Sequence, residues 1–316
     1  MNVPKYADII EAAERIKRYV KKTPVLTCTT INNMVNAELF FKCENFQKVG
    51  AFKFRGATNA VLFLSDKEAA RGVATHSSGN HAAALALAAR NRGIRAYVVM
   101  PENSPWVKKE AVAGYGAEII YCKPTLEARE TTLEKVIEKT GATFIHPYNN
   151  FNVIVGQGTA ALELLKEIEK LDIILTPVGG GGLLSGTSLT VKGFSPKTKV
   201  IGCEPEAADD AYRSLKEGRI VPSINPQTVA DGLRTSLSDI TFAIISQNVE
   251  QIVTVGENKI IEAMRLVWER MKVVIEPSAA VPMAVVLNSK LNIENKRIGI
   301  IVSGGNVDLD SLPWLK

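Results

Sequence analysis

Ile173-Ile174-Leu175-Thr176-Pro177-Val178-Gly179-Gly180-Gly181-Gly182-Leu183-Leu184-Ser185 is an apolar run that halts at four consecutive glycines and resumes as a second apolar run. A short β-rich segment bounded by a glycine turn reads as a buried strand, and the apolar residues after the turn read as the start of a helix. That order is the βα unit of an α/β protein. Residues without side chains at such a junction let main-chain N–H groups close on an anion beside the positive end of the helix. Gly179, Gly180, Gly181 and Gly182 therefore form a candidate phosphate cup, and a tight turn packed against a helix is the other reading the stretch allows.

The same unit recurs to either side. Leu39 to Cys43, Val73 to His76, Ala96 to Met100, Glu118 to Cys122, Thr143 to His146, Val200 to Cys203 and Ile298 to Val302 are further strand candidates. Apolar residues at helical spacing mark Asn80 to Arg92, Pro124 to Thr140, Gly156 to Leu171, Asn258 to Met271 and Pro277 to Leu287. The alternation predicts an α/β fold with mostly parallel sheets, ligands gathering at the carboxyl ends of the strands. No period of about 20 to 50 residues recurs and no low-complexity linker divides the chain. Residues 72–149 hold four strand–helix units of their own and are expected to form a smaller lobe inserted into a larger one built from 1–71 and 150–316.

With 316 residues, 46% of them hydrophobic, the chain is long enough for a large core. Its 38 basic and 33 acidic residues are dispersed, with no basic stripe interleaved with aromatics, so nucleic acid is not an expected partner. Asp8, Glu11 and Glu14 interrupt the apolar residues near the N-terminus and no stretch is long enough to span a bilayer, so a cytoplasmic protein without membrane contact is expected. Cys28, Cys43, Cys122 and Cys203 lie far apart without a C-x-x-C pair, which suits reduced, packed thiols.

Which phosphate the cup would hold is decided elsewhere. The dinucleotide pattern G-x-G-x-x-G fails in both frames, ending on Leu184 or Ser185, and no Lys follows the glycines as a P-loop requires. Three other sites present polar or small residues at a strand end or helix start. Thr75 to His81 follows the strand from Val73, and its Ser77, Ser78 and Asn80 suit either an N-cap or a grip on a carboxylate. Lys53 sits between Phe52 and Phe54, where a lysine is either solvated or kept reactive by desolvation. Ser303-Gly304-Gly305-Asn306 follows another apolar run and reads as a turn. A phosphate cup, an amine, an Asn donor and a Ser hydroxyl are an odd set for a nucleotide but a complete one for pyridoxal 5′-phosphate.

The chain resembles the fold-type II pyridoxal-phosphate enzymes, within them the branch of serine racemases, serine/threonine dehydratases and 3-hydroxyaspartate dehydratases. The resemblance runs nearly end to end through KTPVLT (22–27), FKCENFQKVGAFKFRGA (41–57), THSSGNHAAAL (75–85), VGQGT (155–159), PVGGGGLLSG (177–186), CEPEAADD (203–210), ADG (230–232), WERMKVVIEPSAA (268–280) and SGGNVD (303–308). It implies a tryptophan-synthase-β-like fold with two open, twisted, mostly parallel sheets. By the same resemblance Lys53 binds the cofactor's aldehyde as a Schiff base and then acts as base on one face, while Ser78 serves the opposite face. Phe52, Asn80, Gly179 to Gly182, Leu183 and Ser303 become cofactor contacts, with Asn80 at the ring oxygen and Ser303 at the ring nitrogen. Ser77, Ser78, Asn80, His81 and Arg129 become substrate contacts. Glu204, the backbone oxygen of Ala208 and Asp210 become a site for Mg2+, or for Ca2+ or Mn2+.

The implied activity is serine racemisation with loss of water from L-serine, L-threonine or a related small β-hydroxy amino acid, giving a 2-oxo acid and ammonia, in a homodimer. The run His146-Pro147-Tyr148 stands where vertebrate-type serine racemases have His-Pro-Asn, which keeps a threo-3-hydroxyaspartate dehydratase open as the alternative. A non-catalytic phosphate-ligand-binding protein on the same scaffold is the remote one.

Overall fold

The computed structural model describes residues 2–104, 106–288 and 291–315. Among these residues ten strands form two sheets: β1 (Val25–Leu26), β2 (Glu38–Cys43), β3 (Val73–His76), β4 (Ala96–Pro101), β5 (Glu118–Cys122), β6 (Thr143–Phe144), β7 (Ile173–Pro177), β8 (Lys199–Pro205), β9 (Gln251–Val255) and β10 (Arg297–Val302). One sheet runs β1-β2-β10-β7-β8-β9, parallel throughout except for antiparallel β1, and the other runs β5-β4-β3-β6, all parallel. Strand β7 lies inside the larger sheet with all five residues buried, which is why it reads as an unbroken apolar run.

The expected α/β class with mostly parallel sheets is what forms. All four strands of the smaller sheet come from residues 73–144, and the fourth unit there is incomplete: β6 is two residues long and leads through the turn 145–150 into the helix Phe151–Glu167. That helix starts five residues earlier than its apolar spacing indicates, because the Asn150 side chain accepts the Val153 N–H at 3.0 Å and caps it.

Three helices, Lys53–Phe63, Phe151–Glu167 and Gly182–Phe194, pack closely enough that glycine is required at their crossings. A Cβ on Gly156 would sit 2.6 Å from Gly56 Cα, and one on Gly186 would sit 2.5 Å from Gly158 N. The apolar faces of the last two helices and of the larger sheet bury Leu164, Ile174, Leu184, Val200 and Ile301 in one cluster, while Phe54, Ala57 and Val61 of the first pack in another. The four cysteines are unpaired, three of them buried, and among the described residues no helix is long and apolar enough to cross a membrane.

Candidate active site

Lys53 is the first residue of the helix Lys53–Phe63, and that helix start is pinned from beneath. Two residues on, the fully buried Arg55 guanidinium bonds Glu44 through Nε at 2.7 Å and Glu163 through Nη1 at 2.8 Å. Lys42, also fully buried, donates to Glu163 at 2.6 Å and to the Thr23 carbonyl at 2.7 Å, and the Thr23 hydroxyl donates to Glu44 at 2.6 Å. Two cations face two carboxylates, so the cluster is neutral as a whole. Such a network fixes geometry more than it adds stability, and here it ties β2 and the helix Phe151–Glu167 to the turn that carries Lys53.

Lys53 lines a cavity of about 550 Å3 between the two sheets. Its Nζ donates to the Pro147 carbonyl at 3.1 Å and stands 5.1 Å from the Phe52 ring centroid. Burial lowers its pKa to about 8, against the opposing pull of Glu276. An amine so poised loses its proton near neutral pH, as a nucleophile or base must.

The tetraglycine enters the same cavity, with Leu183, at the carboxyl end of β7 and the first turn of the helix Gly182–Phe194. Gly181 adopts φ +84°, a left-handed conformation that favours glycine, and caps that helix. Protein atoms crowd each of the four: a Cβ on Gly179 would meet Leu233 Cα at 2.9 Å and one on Gly180 would meet the Tyr148 ring at 2.3 Å. The N–H groups of Gly179 to Gly182 have no acceptor among the described residues. Free donors at a helix N-terminus suit a phosphate. The close packing that the tight-turn reading expects is present at all four glycines.

Ser77, Ser78, Asn80 and His81 line the cavity where β3 gives way to the helix Asn80–Arg92, and Ser303 lines it beyond β10, its carbonyl accepting the Phe52 N–H at 3.0 Å. The His81 ring is 2% exposed, bonds the Ile145 carbonyl through Nε2 at 2.9 Å and is held neutral, burial taking its pKa down to about 3. Its Nε2 is thus engaged while its Nδ1 is buried without a hydrogen-bond partner among the described residues, and its main-chain N–H at the helix start faces the cavity side as a donor for an anion. Arg129 also lines the cavity; its Nε donates to the Thr125 carbonyl at 3.4 Å, and it has no carboxylate partner among the described residues.

The residue least visible from sequence is Glu276. It is 5% exposed, and both its oxygens accept from Asn80 Nδ2 at 3.1 Å while Oε2 accepts the Asn306 N–H at 3.2 Å. Asn306 Nδ2 in turn donates to Asn80 Oδ1 at 2.9 Å. Asn80 is therefore oriented by a carboxylate whose pKa burial pushes up to about 7, partly offset by the Asn80 bond. A lone Glu before Pro277 reads as a helix N-cap, and that is also its place in the chain. Tyr148, Lys108 and Asp231 likewise line the cavity, Lys108 bonding Asp231 at 2.8 Å across it.

Glu204, Ala208 and Asp210 lie outside this cavity. Glu204 is fully buried at the end of β8, and its oxygens accept the Ala211 and Tyr212 N–H groups at 2.9 and 2.8 Å. Burial raises its pKa well above the usual range, and the charge of Asp210 adds to the effect. Both Asp210 oxygens are buried and make no hydrogen bond of good geometry, although the nearby Ser223 hydroxyl favours the charged form. Two buried carboxylates in mutual repulsion are costly unless a cation joins them. Among the described residues no three His, Cys, Asp or Glu side chains converge, so a cation here would also draw on main-chain oxygen and water, as hard divalent ions do.

Comparison with known proteins agrees with this geometry. A family model described as pyridoxal-phosphate dependent enzyme matches residues 16–304. The chain is 51% identical to a beta-hydroxyaspartate dehydratase of Paracoccus denitrificans, over 99% of this chain and 100% of that protein. It is 52% identical to a serine racemase of Dictyostelium discoideum, over 96% of this chain and 95% of that one. The solved structure of maize serine racemase superposes with a TM-score of 0.96 at 45% identity, covering 99% and 97% of the two chains. With Lys53 and the glycine turn on one cavity and the family model matched over residues 16–304, this chain belongs to the pyridoxal-phosphate dependent enzymes.

Proposed function

We propose that the chain is a serine racemase that also removes water from L-serine and L-threonine, releasing a 2-oxo acid and ammonia. The observation that carries this reading is the meeting of Lys53, Ser78 and the free N–H groups of the tetraglycine on one cavity, in a chain about half identical to a serine racemase along nearly its whole length. Pyridoxal phosphate, when bound, supplies an electron sink for the carbanion left when Cα loses its proton. Gly179 to Leu183 would hold its phosphate, and Phe52, Asn80 and Ser303 would flank its ring.

Lys53 takes the Cα proton on one face; a pKa near 8 makes it a competent base at cellular pH. Ser78 gives or takes the proton on the opposite face, which is what inversion requires. The start of the helix Asn80–Arg92, with Ser77, Ser78, Asn80 and His81, holds the substrate carboxylate in the field of the helix dipole. Residues 72–149 act as a smaller lobe whose approach excludes water, and the Lys108–Asp231 pair spans the gap it would close.

Glu204, Asp210 and the Ala208 carbonyl bind Mg2+, Ca2+ or Mn2+, an oxygen-only set that fits the two unneutralised carboxylates. A cytoplasmic homodimer completes the proposal, the homodimer resting on family resemblance and the location on Asp8, Glu11 and Glu14 among the apolar residues near the N-terminus. One observation favours threo-3-hydroxyaspartate as a further substrate: Arg129 offers the cavity a guanidinium without a carboxylate partner among the described residues, suited to a second carboxylate. Lys53→Ala tests the core of the proposal. The variant should lose the yellow colour of bound cofactor and all turnover, and a yellow, active variant would overturn the role of Lys53.

A further inference from the structure

The turn 145–150 returns the chain from the smaller sheet to the helix Phe151–Glu167, and His146, Pro147 and Tyr148 all line the cavity. The turn is stiff. His146 Nδ1 accepts the Tyr148 and Asn149 N–H groups at 3.2 and 2.9 Å, and the Tyr148 ring stands edge-on to the His146 ring with centroids 4.5 Å apart. Burial takes the His146 pKa down to about 4, so the ring stays neutral and Nδ1 remains an acceptor.

The Tyr148 ring also meets the tetraglycine turn. A Cβ on Gly180 would lie 2.3, 2.4 and 2.5 Å from three carbons of the Tyr148 ring, and one on Gly182 would lie 3.0 Å from Tyr148 Cβ. The ring is therefore in contact with the same main chain whose N–H groups have no acceptor among the described residues. Its phenol end stands against Thr235, with burial raising its pKa. Four successive glycines have more conformational freedom than any other tetrapeptide, so the shape of the cup must be imposed by its neighbours. Leu233 does this at Gly179, and Ile245, Leu237 and Thr241 do it at Gly181.

We propose that Tyr148 is a positioning residue for the cofactor phosphate: its ring backs Gly180, beside the Gly182 that its Cβ and main chain back, and holds the N–H groups of this turn in an anion-binding arrangement before the phosphate arrives. Ordering the glycines in advance lowers the entropy lost on binding. The flat ring does this, not the hydroxyl. The role is specific to the phosphate and to family membership, and it stands whichever amino acid is the substrate.

The test compares wild-type enzyme with Tyr148→Phe and Tyr148→Leu, the second keeping apolar bulk without a flat face. Pyridoxal phosphate affinity is measured beside that of pyridoxal, which lacks the phosphate, together with the 31P resonance of the holoenzyme and the melting temperature of cofactor-free protein. Tyr148→Phe should stay within about twofold of wild type in every readout. Tyr148→Leu should bind pyridoxal phosphate about tenfold or more weakly, with a displaced 31P resonance, while binding pyridoxal as wild type does. The proposal is overturned if Tyr148→Leu keeps wild-type phosphate affinity, if Tyr148→Phe loses as much as Tyr148→Leu, or if pyridoxal affinity and melting temperature fall in step with phosphate affinity. Failure of wild-type protein to bind the cofactor at all would instead count against the family reading.

Discussion

Replacing Glu276 by Gln should change how stability depends on pH, by an amount the structure sets. Glu276 is 5% exposed and its carboxyl titrates at about 7 in the folded protein, against 4.5 in an open chain, with burial the main cause. At about 1.4 kcal/mol per pH unit, that difference is worth about 3 kcal/mol. The folded state holds this proton more tightly than the unfolded chain does. The stabilisation is therefore complete below pH 4.5 and is lost as pH rises through 7. Glutamine has no such titration, so the stability of wild type relative to Glu276→Gln should fall by about 3 kcal/mol between pH 4.5 and 8. Urea unfolding of both cofactor-free proteins, followed by circular dichroism at half-unit steps of pH, measures that difference. Titrations common to both proteins, such as those of His81, His146 and Asp210, cancel in it. Lys53 titrates near 8, at the upper edge of the window. A difference that stays flat across the window, or that rises with pH, would refute the assignment of a buried, proton-holding carboxyl beside Asn80.

Two further outcomes are expected. Ser78→Ala should lower serine racemisation by about 10²-fold or more while L-serine dehydration falls much less, the mark of losing the proton-transfer group on one face only; equal losses would remove Ser78 from that face. Mg2+ at about 100 times its dissociation constant should raise the unfolding free energy of wild type by about 2.7 kcal/mol, and Asp210→Asn should abolish the effect. The protection should fade below pH 6, because burial pushes the Asp210 carboxyl up to about 6 and protons then compete with the ion; a thermal shift identical in the variant would place the cation elsewhere.

Local chemistry explains what could be read from the sequence. The β7 strand, the glycine turn and the adjoining helix start announce themselves because each signal lies within a dozen residues. Lys53, the Ser77 to His81 helix start and Ser303 are visible for the same reason, as unusual polar residues at the ends of apolar runs. The helix Lys53–Phe63 is harder to see, since it is buried without a break from Phe54 to Val61, with Arg55, Gly56, Thr58 and Asn59 among those residues, so no apolar stripe stands out; Gly56 is there because the helix Phe151–Glu167 crosses it. Strand β9 is not among the strands read from the sequence; its Gln251 and Thr254 interrupt an apolar run of the kind that marks β7. Glu276 meets Asn80 from 196 positions away, and the Tyr148 ring takes its meaning from glycines more than thirty residues on. Neither contact leaves a local trace. The Arg55 network is another such case, with Lys42, Glu44 and Arg55 inside one motif but Glu163 contributed from a distant helix.

The most direct test of the proposed activity is to incubate holoenzyme with L-serine, with and without Mg2+, and to follow D-serine by chiral chromatography and pyruvate in the same samples, beside a parallel reaction on L-threo-3-hydroxyaspartate. D-serine and pyruvate should both accumulate from L-serine, and both should increase with Mg2+. Full consumption of L-threo-3-hydroxyaspartate with no D-serine formed from L-serine would contradict the racemase reading and leave a dedicated dehydratase in its place.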